Sequence, residues 1–409
     1  MRSLKRGGVA LAGIIAGAIA ITAAAGFVPR TPTEVVAAAP ADDLQERLRR
    51  LPGDYVGWAA LGSSYVDRAR LTGDPSWYGK AEQAVAKSLE VRPGNPAGLT
   101  GRASLEAGRH EFTQAVETAR QAIAVNPYGA PAYGVLADSF HQLGRYAEAT
   151  GAIDKMISLA PGVSSFTRAS YDAELRGDLT MARDMLEYAR RDAYQPADIA
   201  FCEHYLGELA LRQGLYDQAR DHYAKALQAD PAFDPARAGL ARVTALSGDL
   251  EKAASLYAAS TARLPLTQIL VEQGEVLKAL GRDPGWATLK AQRELMRLNG
   301  VRDDITWAEF EADHGSPAEA VTFAQAEYAR NPNLVAADAL AWALHRAGRS
   351  SEALRYAKEA TATGWRNALV MHHRAEIEKT LGLETDSARL VTEYNPRFTA
   401  ALPALQRSS

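Results

Sequence analysis

The sequence predicts an all-α solenoid of about ten helix hairpins, and three residue ladders carry that prediction. Glycine recurs at Gly73, Gly108, Gly144, Gly177, Gly214, Gly248, Gly281, Gly315, Gly348 and Gly382, in steps of 33 to 37 residues. Alanine keeps the same period at Ala81, Ala115, Ala149, Ala182, Ala219, Ala253, Ala287, Ala320 and Ala353, with Ser387 continuing the series. Proline closes the unit at Pro93, Pro127, Pro161, Pro196, Pro231, Pro265, Pro332 and Pro396, the last two steps being near double ones.

Each ladder has a physical meaning. Glycine takes the left-handed backbone that ends a first helix of about a dozen residues at little cost. Alanine falls inside the second helix, where a small side chain lets two helices approach closely. Proline cannot continue that helix and pushes the residue before it out of helical geometry. Two helices and two breaks per period make one helix hairpin.

In this phase the residues of the individual units resemble the tetratricopeptide repeat. The first unit carries Trp58, Leu61, Gly62, Tyr65, Ala81, Ser88 and Pro93, with extra residues in the turn around Thr72-Gly73-Asp74-Pro75. The third carries Tyr133, Leu136, Ala137, Phe140, Gly144, Ala149, Met156 and Pro161, and the fifth Leu206, Gly207, Gly214, Ala219, Tyr223, Ala226 and Pro231. The eighth has Pro317 placed to start its second helix. The resemblance spans residues 42–396 and is to bacterial-type repeat proteins with an N-terminal signal anchor. It implies a right-handed α-α superhelix whose first helices line a concave groove. Residues 42–51 read as a half-unit before the first hairpin, and residues 397–409 as a cap or tail that would cover apolar surface at the far end.

The N-terminus reads differently. Arg2, Lys5 and Arg6 precede an uncharged run from Gly7 to Val28. Residues 1–28 form a signal anchor or a cleaved signal peptide: the run is long enough to span a bilayer, yet rich in alanine and glycine, with small-residue motifs such as Ala23-Ala24-Ala25 open to cleavage. Basic residues on the N-terminal flank alone place the repeats outside the cytoplasm, either membrane-anchored or secreted after cleavage. Residues 29–41 (PRTPTEVVAAAPA) read as an extended linker with a reach of roughly 40 Å.

Chemistry is not legible in the sequence. The net charge of −3, from 46 basic and 49 acidic residues, carries no basic excess of the kind that marks nucleic-acid binding. No phosphate loop, zinc-protease helix, nucleophile elbow or calcium loop occurs, so no enzyme, cofactor or metal site is expected. The single cysteine, Cys202, lies at a helical position and reads as a small packing residue. His372 and His373 are neighbours that a helix turns to different sides. Asp42-Asp43 and Asp303-Asp304 lie at helix starts and read as solvated caps.

The expected function is therefore a non-enzymatic scaffold that binds protein or peptide partners, with an envelope-polymer (carbohydrate) module as the alternative. The resemblance implies contact positions on the first helices: Asp138, His141, Gln142, Tyr171, Glu174, His204, Glu208, Arg212, Arg242, Trp342, His345 and Arg346. Ser63, Asp67, His372, Glu376 and Lys379 fall in the same phase. Trp342, an aromatic among polar neighbours, stands out as an anchor or as packing between repeats.

Overall fold

A computed structural model describes residues 41–407. The segments expected to be a signal anchor and linker lie outside the described residues, apart from Ala41, which begins the first helix. The described residues form α1 (Ala41–Arg50), a lone helix, followed by ten hairpins. The first five are α2 and α3 (Tyr55–Thr72, Ser76–Val91), α4 and α5 (Pro96–Gly108, Phe112–Val125), α6 and α7 (Ala130–Gln142, Tyr146–Leu159), α8 and α9 (Val163–Leu175, Leu179–Asp192), and α10 and α11 (Pro196–Arg212, Tyr216–Ala229). The second five are α12 and α13 (Asp234–Leu246, Leu250–Thr261), α14 and α15 (Thr267–Ala279, Trp286–Leu298), α16 and α17 (Asp304–His314, Pro317–Arg330), α18 and α19 (Leu334–Arg346, Ser350–Ala360), and α20 and α21 (Ala368–Thr380, Ser387–Tyr394). A short 3-10 turn at Pro403–Gln406 follows. The architecture is the predicted all-α, right-handed superhelix of helix hairpins.

Packing follows the ladders. Eight of the nine ladder alanines are completely buried in second helices, each against the first helix of its own hairpin. Ala287 is the exception. The seventh hairpin has a longer turn, α15 starts only at Trp286, and Ala287 faces solvent. The close approach there is made by Gly274 on α14, whose missing Cβ leaves room for the Trp286 ring. Consecutive first helices also pack on one another, as α2 on α4 and α16 on α18, and among the described residues no pair of consecutive second helices does so comparably. The first helices therefore form the inner wall. Leu44 and Leu48 of α1 bury themselves in the core of the first hairpin, so α1 covers apolar surface that a solenoid end leaves open.

The glycine ladder does more than end helices. Eight of its ten members adopt positive φ. In the second hairpin His110 takes the left-handed position (φ 63°), while Gly108 stays helical and its missing Cβ leaves room for the Tyr78 ring. Gly315 is not left-handed either (φ −132°).

These turns also meet the rest of the chain in a regular way. The turn of each hairpin from one to five lies against the linker that follows the hairpin five units later. Gly73 O accepts a bond from Gln292 Nε2 (3.0 Å) and Gly73 abuts Leu264 and Leu266. His110 faces Arg302 and Asp303. Gln142 O accepts from Asn333 Nδ2 (2.9 Å), and the Leu334 amide donates to Tyr146 Oη (2.8 Å). Thr363 Oγ1 donates to Leu175 O (2.6 Å), and Tyr216 Oη to Arg397 O (3.1 Å). One superhelical turn thus takes about five hairpins, and the second turn sits on the first along a continuous seam. Asp303 caps α16 as expected, accepting from the Thr306 amide at 3.4 Å, but it sits half-buried in this seam rather than fully solvated, and burial raises its carboxyl above the ordinary range.

The seam explains a division among the glycines. A Cβ on Gly144, Gly177 or Gly214 would fall 2.2, 2.3 or 2.4 Å from an oxygen of the opposing turn. At Gly248, Gly281, Gly348 and Gly382, which have no second turn beyond them, it would meet open space. Gly348→Ala should therefore cost only the left-handed backbone penalty, about 1–2 kcal/mol. Gly144→Ala adds an overlap with Pro332 O and should cost clearly more. Chemical denaturation of the two variants checks this; equal losses would mean that the turns do not touch.

Candidate binding groove

The inner wall is charged, and its charges pair from one first helix to the next. Arg168 on α8 grips Asp138 on α6 with two bonds, Nε–Oδ1 2.8 Å and Nη2–Oδ2 2.6 Å. His141 Nε2 lies 2.7 Å from Asp172 Oδ1. Glu174 pairs with Arg212 Nε at 2.7 Å. Glu208 takes both a bidentate bond from Arg242 Nη1 (2.9 and 2.7 Å) and the Tyr223 hydroxyl (2.6 Å). Arg242 reaches on to Glu272 Oε1 (2.7 Å), which also holds Gln268. Further along, Glu275 meets His314 (2.8 Å), Asp313 accepts from Trp342 Nε1 (2.8 Å), and Asp338 meets His373 Nδ1 (2.9 Å). The helical period brings one such position of each repeat to the next repeat's first helix.

Burial sets the protonation of this ladder. His204 is enclosed by Tyr205, Tyr223 and Phe233, and burial pushes its imidazole down to about 4 despite the pull of Glu208. His141 is pushed down to about 3 for the same reason, with Asp138 opposing, so it is neutral and its Nε2–H donates to Asp172. Burial works against the charge of Glu208, yet Arg242 above all, then His204 and Arg212, holds the carboxyl at about 2. Cys202 is fully buried, and burial raises its thiol to about 12, leaving no thiolate at neutral pH.

Each residue expected at the contact positions can now be placed. His141, Glu174, His204, Glu208 and Arg242 are buried, while Asp138, Gln142, Tyr171 and Arg212 are half-buried. Gln142 belongs to the seam, and Tyr171 sets its edge against the His141 ring. Trp342 is half-buried and stacks on His373 (centroids 4.2 Å apart) and His345 (5.2 Å), with the exposed Arg346 over its ring. His372 lies under Phe398 (5.3 Å), Glu376 pairs with the exposed Lys379, and Ser63 and Asp67 are half-buried on α2. The structure therefore joins Glu174, Glu208, Arg212 and Arg242 into one network and Trp342, His345 and Arg346 into another.

Sequence reasoning missed the acidic positions of the seventh to ninth hairpins: Glu272, Glu275, Glu309, Asp313 and Asp338. The repeat phase that selected Glu208 also points to Glu275 and Glu309, that of Arg212 to Asp313, and that of His204 to Asp338. It missed as well that residues 397–407 turn back along the inner wall. Ala404 and Leu405 are buried among Ile269, Leu270, Trp307 and Phe310. The Ala404 amide donates to Glu275 Oε2 (3.0 Å), and Ala404 O accepts from Gln268 Nε2 (3.1 Å). Arg407 enters the acidic cluster, with Nε 3.1 Å from Glu309 Oε2 and Nη2 2.5 Å from Asp313 Oδ2. Beside this segment lies a cavity of about 280 Å³, lined among others by Asp138, Arg168, His204, Arg242, Gln268 and Arg407.

Acid should weaken the structure in two windows. A group whose folded pKa is depressed makes the unfolded chain bind the proton first, so stability falls as pH drops through the gap. For His204 that window runs from 6.5 down to about 4, and for Glu208 from 4.5 down to about 2. His204→Phe should remove about one proton's worth of the slope in the upper window, read from urea midpoints between pH 7 and pH 5. An unchanged slope would show that His204 titrates as it would in water.

Comparison with known proteins agrees with the repeat. Residues 99–164 and 172–232 match one tetratricopeptide repeat model, and residues 210–270 match another. Over 86 residues the chain is 33% identical to the small glutamine-rich tetratricopeptide repeat-containing protein 2 of Mycosarcoma maydis; that is 20% of this chain and 24% of that protein, so the chain spans about a quarter of the length of the curated relative. Among solved structures, a human IFIT1 dimer with m7Gppp-AAAA aligns with a TM-score of 0.49 at 18% identity, covering 79% of this chain and 76% of that one. A tetratricopeptide repeat protein from Parabacteroides merdae aligns at 0.42 and 16% identity, covering 63% and 90%, and the type IV pilus biogenesis factor PilW at 0.40 and 20%, covering 56% and 97%. Residues 99–164 and 172–270 thus carry recognised tetratricopeptide repeats, set within ten hairpins of one period.

Proposed function

We propose that the chain is a non-enzymatic scaffold whose inner wall binds extended polypeptide, held outside the cytoplasm by its N-terminal segment. One observation carries the binding part: the wall already grips a polypeptide by its main chain, with Gln268 and Glu275 taking the carbonyl and the amide of Ala404. Such bonds read backbone, which every peptide offers.

The charge of the wall favours polypeptide over nucleic acid. The guanidinium groups of Arg168, Arg212, Arg242 and Arg407 each face a carboxylate, so the wall offers no unbalanced positive strip for a phosphate backbone. The alternative of an envelope-polymer module draws on ring faces presented for sugar, whereas Trp307 is buried and Trp342 is stacked between histidines. Among the described residues no helix is long and apolar enough to cross a membrane. Anchoring thus rests on Arg2, Lys5, Arg6 and the run from Gly7 to Val28.

A photo-crosslinking residue placed at Arg346, exposed at the end of a first helix, should link to a polypeptide partner in the native cell. The same residue at Tyr188, exposed on the second helix α9, should not. N-terminal sequencing of the membrane-bound chain from that preparation should begin before Gly7. Links at position 188 alone would contradict the inner wall as the binding face, and a chain found only in the cytoplasm would contradict export.

A further inference from the structure

The segment 397–407 differs from every other part of the fold in how it is held. Pro396, Arg397, Ala400 and Ala401 are exposed, whereas Ala404, Leu405 and Arg407 are buried. Among the described residues its backbone-to-backbone bonds run only to its own neighbours and to Asn395: Phe398 N to Asn395 O, Leu405 N to Leu402 O, and Arg407 N to Ala404 O. Everything that ties it to the helices is a side-chain contact. Its attachment is that of a bound peptide joined to its receptor by an exposed strap.

The receptor surface has three parts in fixed order along the wall. Gln268 and Glu275 on α14 clamp one residue, Ala404, by its carbonyl and its amide. The Leu405 side chain, 1% exposed, enters an apolar recess in the cluster that includes Ile269, Val276, Trp307 and Phe310. Two residues on, Glu309 and Asp313 on α16 receive the Arg407 guanidinium, with Glu275 and Asp338 adding negative potential. Arg407 Nε and Nη1 are buried without a hydrogen-bond partner, so the carboxylates hold the guanidinium by charge without satisfying every one of its donors. Without a cation the buried carboxylates would have to take up protons, and burial already raises Glu309 to about 7, so a guanidinium or an equivalent charge at that spot keeps the cluster ionised.

We propose that this surface is a recognition site for partner segments of the form small–apolar–x–Arg, and that residues 404–407 (Ala-Leu-Gln-Arg) occupy it in competition with such a partner. The inference rests on the scaffold reading above and names the chemistry of its ligand. The clamp accepts any main chain, the recess selects a leucine-sized apolar side chain, and the acidic pair selects arginine, whose planar fork suits two carboxylates better than lysine does. Because the occupant is tethered, it is present at high effective concentration, and a partner binds in proportion to the fraction of time the site is open.

The test uses the full chain and a labelled peptide of sequence RFTAALPALQR, which copies residues 397–407. In a Leu405→Asp, Arg407→Glu variant the tethered segment no longer fits, since an aspartate enters the recess and a glutamate faces the acidic pair. That variant should bind the peptide at least about tenfold more tightly than the intact chain does. A peptide with glutamate in place of its last arginine should bind neither. Equal binding by the two chains, or no binding by a variant whose circular dichroism matches that of the intact chain, would overturn the proposal. Should the variant not fold, hydrogen exchange on the intact chain decides. Saturating peptide should speed exchange of the amides of residues 404–407, and unchanged exchange would overturn the idea. Photo-crosslinks at position 346 that persist while the peptide fails would remove this inference and leave the scaffold reading standing.

Discussion

Everything specific to this molecule depends on the seam between its two superhelical turns. A repeat protein normally needs contacts only between neighbours, and its stability is then a sum of repeat and interface terms. Here the turn of one hairpin also meets the linker five hairpins on, through bonds such as Asn333 to Gln142 and Thr363 to Leu175. The left-handed glycines make this possible: at Gly144 and Gly177 the opposing carbonyl occupies the space of a Cβ. Closing the turns converts an open groove into an enclosed lumen, and enclosure lowers the effective dielectric around every charge inside.

That enclosure accounts for the polar ladder. Arg242 lies between Glu208 and Glu272 with almost no exposure, and Arg407 lies between Glu309 and Asp313 in the same way. Buried ion pairs of this kind add little net stability over apolar packing, but leaving one partner alone costs about 3–5 kcal/mol. The ladder therefore acts mainly on specificity, penalising any shift of one repeat against the next. The positions that a repeat family typically turns toward a ligand are here largely spent on one another, and the ligand-like role passes to the surface that holds residues 404–407.

How far the sequence discloses this can be followed residue by residue. The period was legible because glycine, alanine and proline each report a local event, a helix end, a close approach and a break, and such events need only nearby residues. Where a local substitute exists the ladder misleads. His110 does the work expected of Gly108, and Trp286 with Gly274 does the work expected of Ala287. The contact positions were legible as a phase on the first helices, but not their pairing, since Glu208 and Arg242 look like two solvated charges until their helices are side by side. The seam was not legible at all: Gln142 and Asn333 are 191 residues apart, and nothing in their composition links them. Residues 397–407 look like an ordinary tail for the same reason.

The central claim is that the superhelix closes on itself, and the most direct measurement is a crosslink across the seam. Gly177 and Arg366 lie in contact there, a Cβ on the glycine falling 3.4 Å from the arginine Cγ. Cysteines placed at Arg176 and Arg366 of the full chain, with native Cys202 buried and unreactive, would be treated with a short bis-maleimide. The account predicts a single intramolecular link between residues 176 and 366, found by mass spectrometry. Two separately modified cysteines without a link would show the turns standing apart and would contradict it.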